Sequence, residues 1–209
     1  MRITKFGHAC LLVEEGDGRL LLDPGTLSTG FEELTGLTGV LITHQHPDHV
    51  DLGRLPALLD RNPDAALRAD AGTAAQLVER GLPVADVREG DVLDLGVPVR
   101  VVGREHAVIH PDIPVIPNTG YLVDERFFHP GDSFTVPDVE VEVLGVPTGA
   151  PWLKAAEAVD YLRTVRPRLA LPIHERVLAF PAMVYGLLTN LAPHGTVVRV
   201  IDGGEPVDL

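Results

Sequence analysis

His44, Gln45, His46, Pro47, Asp48 and His49 put three of the chain's nine histidines and a carboxylate into one short run, directly after the apolar residues Val40, Leu41 and Ile42. Neutral imidazoles and a carboxylate on a single turn can hold a transition metal, and almost no other structural purpose calls for them together. Gly36 and Gly39 flank the start of the apolar stretch and Pro47 follows it, so the segment reads as a short buried strand ending in a tight loop. Side chains two apart in extended chain point the same way, which lets His44 and His46 grip one ion. Asp48 and His49 then turn toward a second. A solvated histidine-rich loop is the competing reading. It would serve for a lone His-x-His and is a poor account of the whole string.

Such a loop constrains the rest of the chain, because it cannot surround two ions and further ligands must arrive in similar settings. His106 follows the strand-like run 99–102 after Gly103, Arg104 and Glu105, and His110 lies four residues on in a proline-rich loop. Asp132 sits within His129, Pro130, Gly131, Asp132 and Ser133, just past the strand-like run 126–128, and His174 closes the apolar run 169–173. Each stands where a strand gives way to a loop. Alone, any of these histidines is a hydrogen-bonded loop residue and a lone Gly-Asp is a turn. Recurrence of one context makes ligand candidates of them.

Strand-like segments at 2–6, 9–14 and 19–22, separated by glycine-containing turns, predict an antiparallel meander. Others follow at 99–102, 120–123, 126–128, 139–144, 169–173 and 196–201. Helical patterning covers 52–59, 73–80, 152–165 and 182–191; in the third, Leu153, Ala156, Val159 and Leu162 recur at helical intervals and Pro167 is the stop. No linker or low-complexity tract interrupts the 209 residues, which predicts a single domain over 1–209.

Charge narrows the function. With 17 basic and 30 acidic residues the formal net charge is −13, which disfavours a long polyanion as partner, so no nucleic acid is expected. The start of the chain lacks the apolar core of a secretory signal and no stretch approaches about 18 uninterrupted apolar residues, so the expectation is a cytoplasmic protein without a membrane partner. Cys10 lies in an apolar stretch and reads as a small core residue.

The order His44-x-His46-x-Asp48-His49, then His106, then Gly131-Asp132, then His174 resembles the metallo-β-lactamase superfamily of hydrolases. Asp23, in the run Leu20, Leu21, Leu22, Asp23, Pro24, Gly25, matches that superfamily's first motif, and the match spans residues 1–176. Gly7-His8, the Leu-x-Asp-Pro pattern and the late Pro172-x-His174 resemble its compact branch, which includes L-ascorbate-6-phosphate lactonase-like proteins. The resemblance implies an α/β fold, a four-layer αββα sandwich. It also implies one metal held by His44, His46 and His106, a second held by Asp48, His49 and His174, and Asp132 bridging both. His110 competes with His106 for the third position; His106 is preferred as the nearer to its strand. Asp23 is expected either to orient a ligand histidine or to serve as a turn residue, and His8 either to approach the metals or to be structural.

Two divalent ions balanced by Asp48, Asp132 and a bridging hydroxide leave roughly one positive charge in such a site, which favours a developing oxyanion. Water bound to metal has a pKa near about 7, so a nucleophile exists at neutral pH. The nitrogen and oxygen ligand set suits zinc, with manganese and iron also compatible. Asp48, Asp132 and His110 form the candidate catalytic set, with His110 and His129 as candidates for protonating the leaving group; chance placement on loops is the competing reading for both histidines. The proline-stiffened loops 110–117 and 147–152, with Phe134, are candidates for lining a partly apolar pocket, although Trp152 reads more simply as packing its following helix onto the sheet. The expected activity is metal-dependent hydrolysis of a small-molecule ester, lactone or phosphodiester. The alternative is a non-hydrolytic di-iron redox or ligand-sensing protein, and a homo-oligomer is left open.

Overall fold

Leucine-rich runs with little alternation demand burial on both faces, and the computed structural model, which describes residues 1–201 and 203–209, shows where both faces go. The first sheet starts as the predicted meander, with β1 (Arg2–Lys5), β2 (Leu11–Glu15) and β3 (Gly18–Leu22) antiparallel and Leu11 opposite Leu22. The chain then crosses over into parallel pairing. β4 (Gly39–Ile42) lies beside β3, and after α1 (Leu55–Arg61) come β5 (Ala66–Ala69), α2 (Ala71–Glu79) and β6 (Val84–Asp86).

The second sheet repeats the switch from antiparallel to parallel. β7 (Val92–Asp94), β8 (Pro98–Val102), β9 (Gly120–Val123) and β10 (Phe127–His129) form antiparallel pairs. β11 (Val143–Pro147), α3 (Ala155–Val165), β12 (Leu169–Ile173), α4 (Pro181–Leu191) and β13 (Val197–Val198) continue in parallel, and β14 (Pro206–Asp208) returns to close the first sheet against β1.

Three apolar clusters mark the interfaces of a helix, sheet, sheet, helix stack. Leu20, Leu22 and Leu41 meet Val99, Tyr121, Phe127, Leu171 and Ile173 between the sheets. Leu21, Val40 and Ile42, from the opposite faces of the same strands, pack on Leu55, Leu58 and Leu77 of α1 and α2. Leu122, Leu144 and Ala170 pack on Val159, Leu162 and Leu188 of α3 and α4. Both sheets are mixed and flanked by helices, as expected of the αββα sandwich.

Several expected boundaries move. The strand expected at 139–144 begins at Val143, because pairing with β10 starts at Phe127 opposite Val143 and Arg126 takes the amides of both Glu142 and Val143 on one carbonyl. α3 starts at Ala155, leaving Trp152 on the loop before it. α1 starts three residues later than the apolar spacing predicts. β5, β6, β7 and β14 carry weak or polar patterns; they are strands because a neighbouring edge offers hydrogen bonds. No described helix is long and apolar enough to cross a membrane.

Candidate metal centre

Strand ends position the site. Asp23 follows β3, Thr43 to His49 follow β4, His129 ends β10 with Asp132 three residues on, and His174 follows β12. Parallel strands of the two facing sheets thus deliver their carboxyl ends to one edge of the sandwich. Backbone geometry there is specialised: His8, Asp23 and His174 all have positive φ. Two glycines are required by contact. A Cβ on Gly25 would overlap the Asp48 carbonyl, and one on Gly131 would lie 2.4 Å from Asn118 Oδ1 and 2.6 Å from Thr43 Cβ.

Two groups of side chains converge, His44, His46, His106 and Asp132 in one, His8, Asp48, His49 and His174 in the other, with the potential ligand atoms of each group all within 4.8 Å of one another. Asp132 stands between them. Its Oδ1 lies 3.1 Å from His49 Nε2 and 3.2 Å from His174 Nε2, while Oδ2 lies 3.3 Å from His106 Nε2 and 4.0 Å from His44 Nε2. Asp48 Oδ2 lies 3.2 Å from His174 Nε2.

The imidazole nitrogens that face away are occupied. His49 Nδ1 pairs with Asp23 Oδ2 at 2.7 Å, His106 Nδ1 with the Ala107 carbonyl at 2.6 Å, His174 Nδ1 with the Gly149 carbonyl and His44 Nδ1 with Thr43 Oγ1 at 3.0 Å. With Nδ1 protons held in this way, each Nε2 is the nitrogen that can give up a proton and present a lone pair inward to an ion. His8 differs. Its Nδ1 accepts from the Arg176 amide at 3.3 Å, so Nε2 carries the proton and donates to Asp48 Oδ2 at 3.1 Å; His8 orients a carboxylate rather than offering a lone pair.

The inward atoms test whether a cation fits. His49 Nε2, His106 Nε2, His174 Nε2 and Asp132 Oδ1 are buried without a hydrogen-bond partner. Four such atoms facing one another would each be costly if left uncompensated, and all are metal-ligating types. The residues fit divalent ions. Charge agrees: burial alone would raise the Asp132 carboxyl, but His49, with His106 and His174 close by, holds it well below the usual carboxylate range. Burial likewise opposes ionisation of Asp48, and His174 and His8 overcome it. His174 is lowered by burial yet pushed up to about 9 by Asp132 and Asp48, and His49 is raised by the Asp132 and Asp23 charges against burial. In this state protons on His49 and His174 neutralise the carboxylates, the work a metal would take over.

Of the sequence candidates, His44, His46, Asp48, His49, His106, Asp132 and His174 come together, and His110 does not. His110 is exposed, with Nδ1 accepting from the Asp112 amide at 3.1 Å, because the 110–117 loop swings outward once Ile116 has bonded the His106 amide. His129 is buried behind the centre, its Nε2 2.8 Å from Asp23 Oδ2, so it faces no leaving group. Sequence reading missed Asn118, which accepts from the Asp132 amide and donates to the Pro130 carbonyl; nothing in its local pattern marks it. Trp152 neither lines the open loop nor sits on α3: its indole Nε1 donates to Asp132 Oδ2 at 2.9 Å. A cavity of about 630 Å³ beside the centre is lined by His106, Val108, Ser133 and Phe134 among others.

A family model described as a beta-lactamase superfamily domain matches residues 2–174. The chain is similar to protein Rv0786c of Mycobacterium tuberculosis, 55% identical over 199 residues that cover 91% of this chain and 92% of that one. It is also similar to UPF0173 metal-dependent hydrolase MJ1163 of Methanocaldococcus jannaschii, 25% identical over 99% of this chain and all of that one. Among solved structures, Igni18, described as a novel metallo hydrolase from the hyperthermophilic archaeon Ignicoccus hospitalis, superposes with a TM-score of 0.75 at 23% identity, covering 99% of this chain and 97% of that chain.

Proposed function

The chain belongs to the beta-lactamase superfamily, and from that premise we propose that it is a metal-dependent hydrolase whose centre takes two divalent ions, zinc first among them. His44, His46 and His106 would hold one, Asp48, His49 and His174 the other, with Asp132 shared. The observation that carries this reading is the division of the Asp132 oxygens between His49 and His174 on one side and His106 on the other, whose Nε2 atoms are buried without a hydrogen-bond partner. Bound there, the ions would supply an ionised water near neutral pH and an electrophile for the oxygen that gains charge. Asp132 and Asp48 keep the region anionic enough to attract cations, and Asp23, Ala107 and Gly149 keep the ligating imidazoles in the required tautomer. His106 opens onto the adjoining cavity, which Val108 and Phe134 make partly apolar.

That cavity suits a small ester, lactone or phosphodiester, the lactone being the class suggested by the compact branch that the motifs resemble. The reading takes residues 1–209 as one catalytic unit. Elemental analysis of protein purified without added metal, coupled to an ester, lactone, thioester and phosphodiester panel, tests it. The expected result is about two metal ions per chain, with turnover that His46→Ala and Asp132→Ala abolish while circular dichroism stays unchanged. Wild-type turnover in both variants refutes it; two irons, a visible absorption band and no hydrolysis point instead to redox use of the pocket.

A further inference from the structure

Asp132 is asked to face two groups at once, and its oxygens differ in what holds them. Oδ1 lies near His49 and His174 and has no hydrogen-bond partner, whereas Oδ2 accepts the Trp152 indole proton at 2.9 Å. A carboxylate oxygen has two lone-pair positions, so Oδ2 can accept from Trp152 and still present the other toward His106, 3.3 Å away. His49 Nε2 and His174 Nε2 both lie on the Oδ1 side, at 3.1 and 3.2 Å. Without a donor opposite them, rotation of the carboxylate toward that side would satisfy one group and leave His44, His46 and His106 without an anionic ligand.

We propose that Trp152 is a positioning residue for Asp132, its indole N–H holding Oδ2 on the side of His44, His46 and His106 so that one carboxylate serves both groups. The inference rests on the dinuclear reading of the centre. The ring is well seated for this task, buried, edge-on to Phe134 at 5.1 Å and to His106 at 5.9 Å between centroids. Phe134 in turn packs on Tyr161 of α3 at 5.2 Å, and the Tyr161 hydroxyl donates to the Thr135 carbonyl. The loop after β11 therefore addresses both groups, holding His174 through the Gly149 carbonyl and Asp132 through Trp152.

Trp152 is the sole tryptophan of the chain, so its emission reports on the centre directly. Apoprotein is titrated with Zn2+ against a competing chelator while ions per chain and indole emission are followed. The wild type is expected to take up two ions and to change its emission as it loads. Trp152→Phe keeps an aromatic body without the N–H, and is expected to retain one ion at wild-type affinity and to bind the other about tenfold or more weakly, the usual effect of losing a group that orients a metal ligand. Phe134→Leu loosens the same packing but keeps the N–H; it is expected to lower stability and leave both affinities within about twofold of wild type. Two-ion wild-type uptake combined with an unchanged Trp152→Phe titration, or with equal weakening in Phe134→Leu, overturns the inference alone. Uptake of fewer than two ions by the wild type overturns the dinuclear reading and this inference with it.

Discussion

Asp23 is wholly buried and accepts from the Thr43 amide and hydroxyl at 2.8 Å each, from His49 Nδ1 and from His129 Nε2. Burial would raise its carboxyl, but the His49 charge and these donors hold it far down, so it is an anion at working pH. Its hold on His49 gives a test. Asp23→Asn keeps the shape, loses the charge and can present an N–H where His49 needs an acceptor; metal affinity by chelator competition is expected to fall about 10- to 100-fold. A pH series provides a second test. In the metal-free protein Asp132 and Asp48 push His174 up to about 9, and an ion taking its Nε2 would displace that proton, so the His174 contribution to affinity is expected to rise with pH and level off near that value. The slope below it should approach about one decade per pH unit for each proton released. Affinity that is flat from pH 6 to 9 would contradict that assignment of the proton.

Strands set the scale at which these residues become a site. Leu41 is fully buried on the sheet–sheet face of β4, two residues before Thr43, so it anchors the loop that carries His44 to His49. Leu41→Ala is expected to cost about 2 to 5 kcal/mol in urea unfolding, from lost transfer energy and the cavity left behind. Asp70 caps α2 through the amides of Gly72 and Thr73, and Asp70→Ala is expected to cost about 1 kcal/mol in urea unfolding. The meander, β4, β8, β9 and β12 were legible in sequence because their apolar runs are bounded by glycine or proline. β5, with the sequence Ala66, Leu67, Arg68, Ala69, was not; it has little β propensity of its own and exists because β4 and β6 pair with it on either side.

Across the molecule, the metal groups lie where two separately built halves meet: β3 and β4 of one sheet carry Asp23, His44, His46, Asp48 and His49, and β8, β10 and β12 of the other lead to His106, Asp132 and His174. Ions spanning that junction should stabilise the whole stack. Chelator treatment is expected to lower the melting temperature, corresponding to about 2.7 kcal/mol for each ion present at a hundredfold excess over its Kd, and Asp132→Asn should shrink the difference. Identical melting with and without chelator would count against ions at the junction. Sequence by itself determined the candidate ligand types and the strand-end context of each, because a histidine-rich motif and the apolar run before it are local in the chain. It also determined that His44 and His49 belong to one loop. Only the tertiary structure set His106 within the cluster and His110 out at the surface, placed His8 against Asp48, put His129 behind Asp23 and brought the Trp152 indole to Asp132. Those outcomes depend on which strand ends the sandwich brings together, and residues such as His8 and Asp48, 40 positions apart, meet through packing that no local pattern encodes.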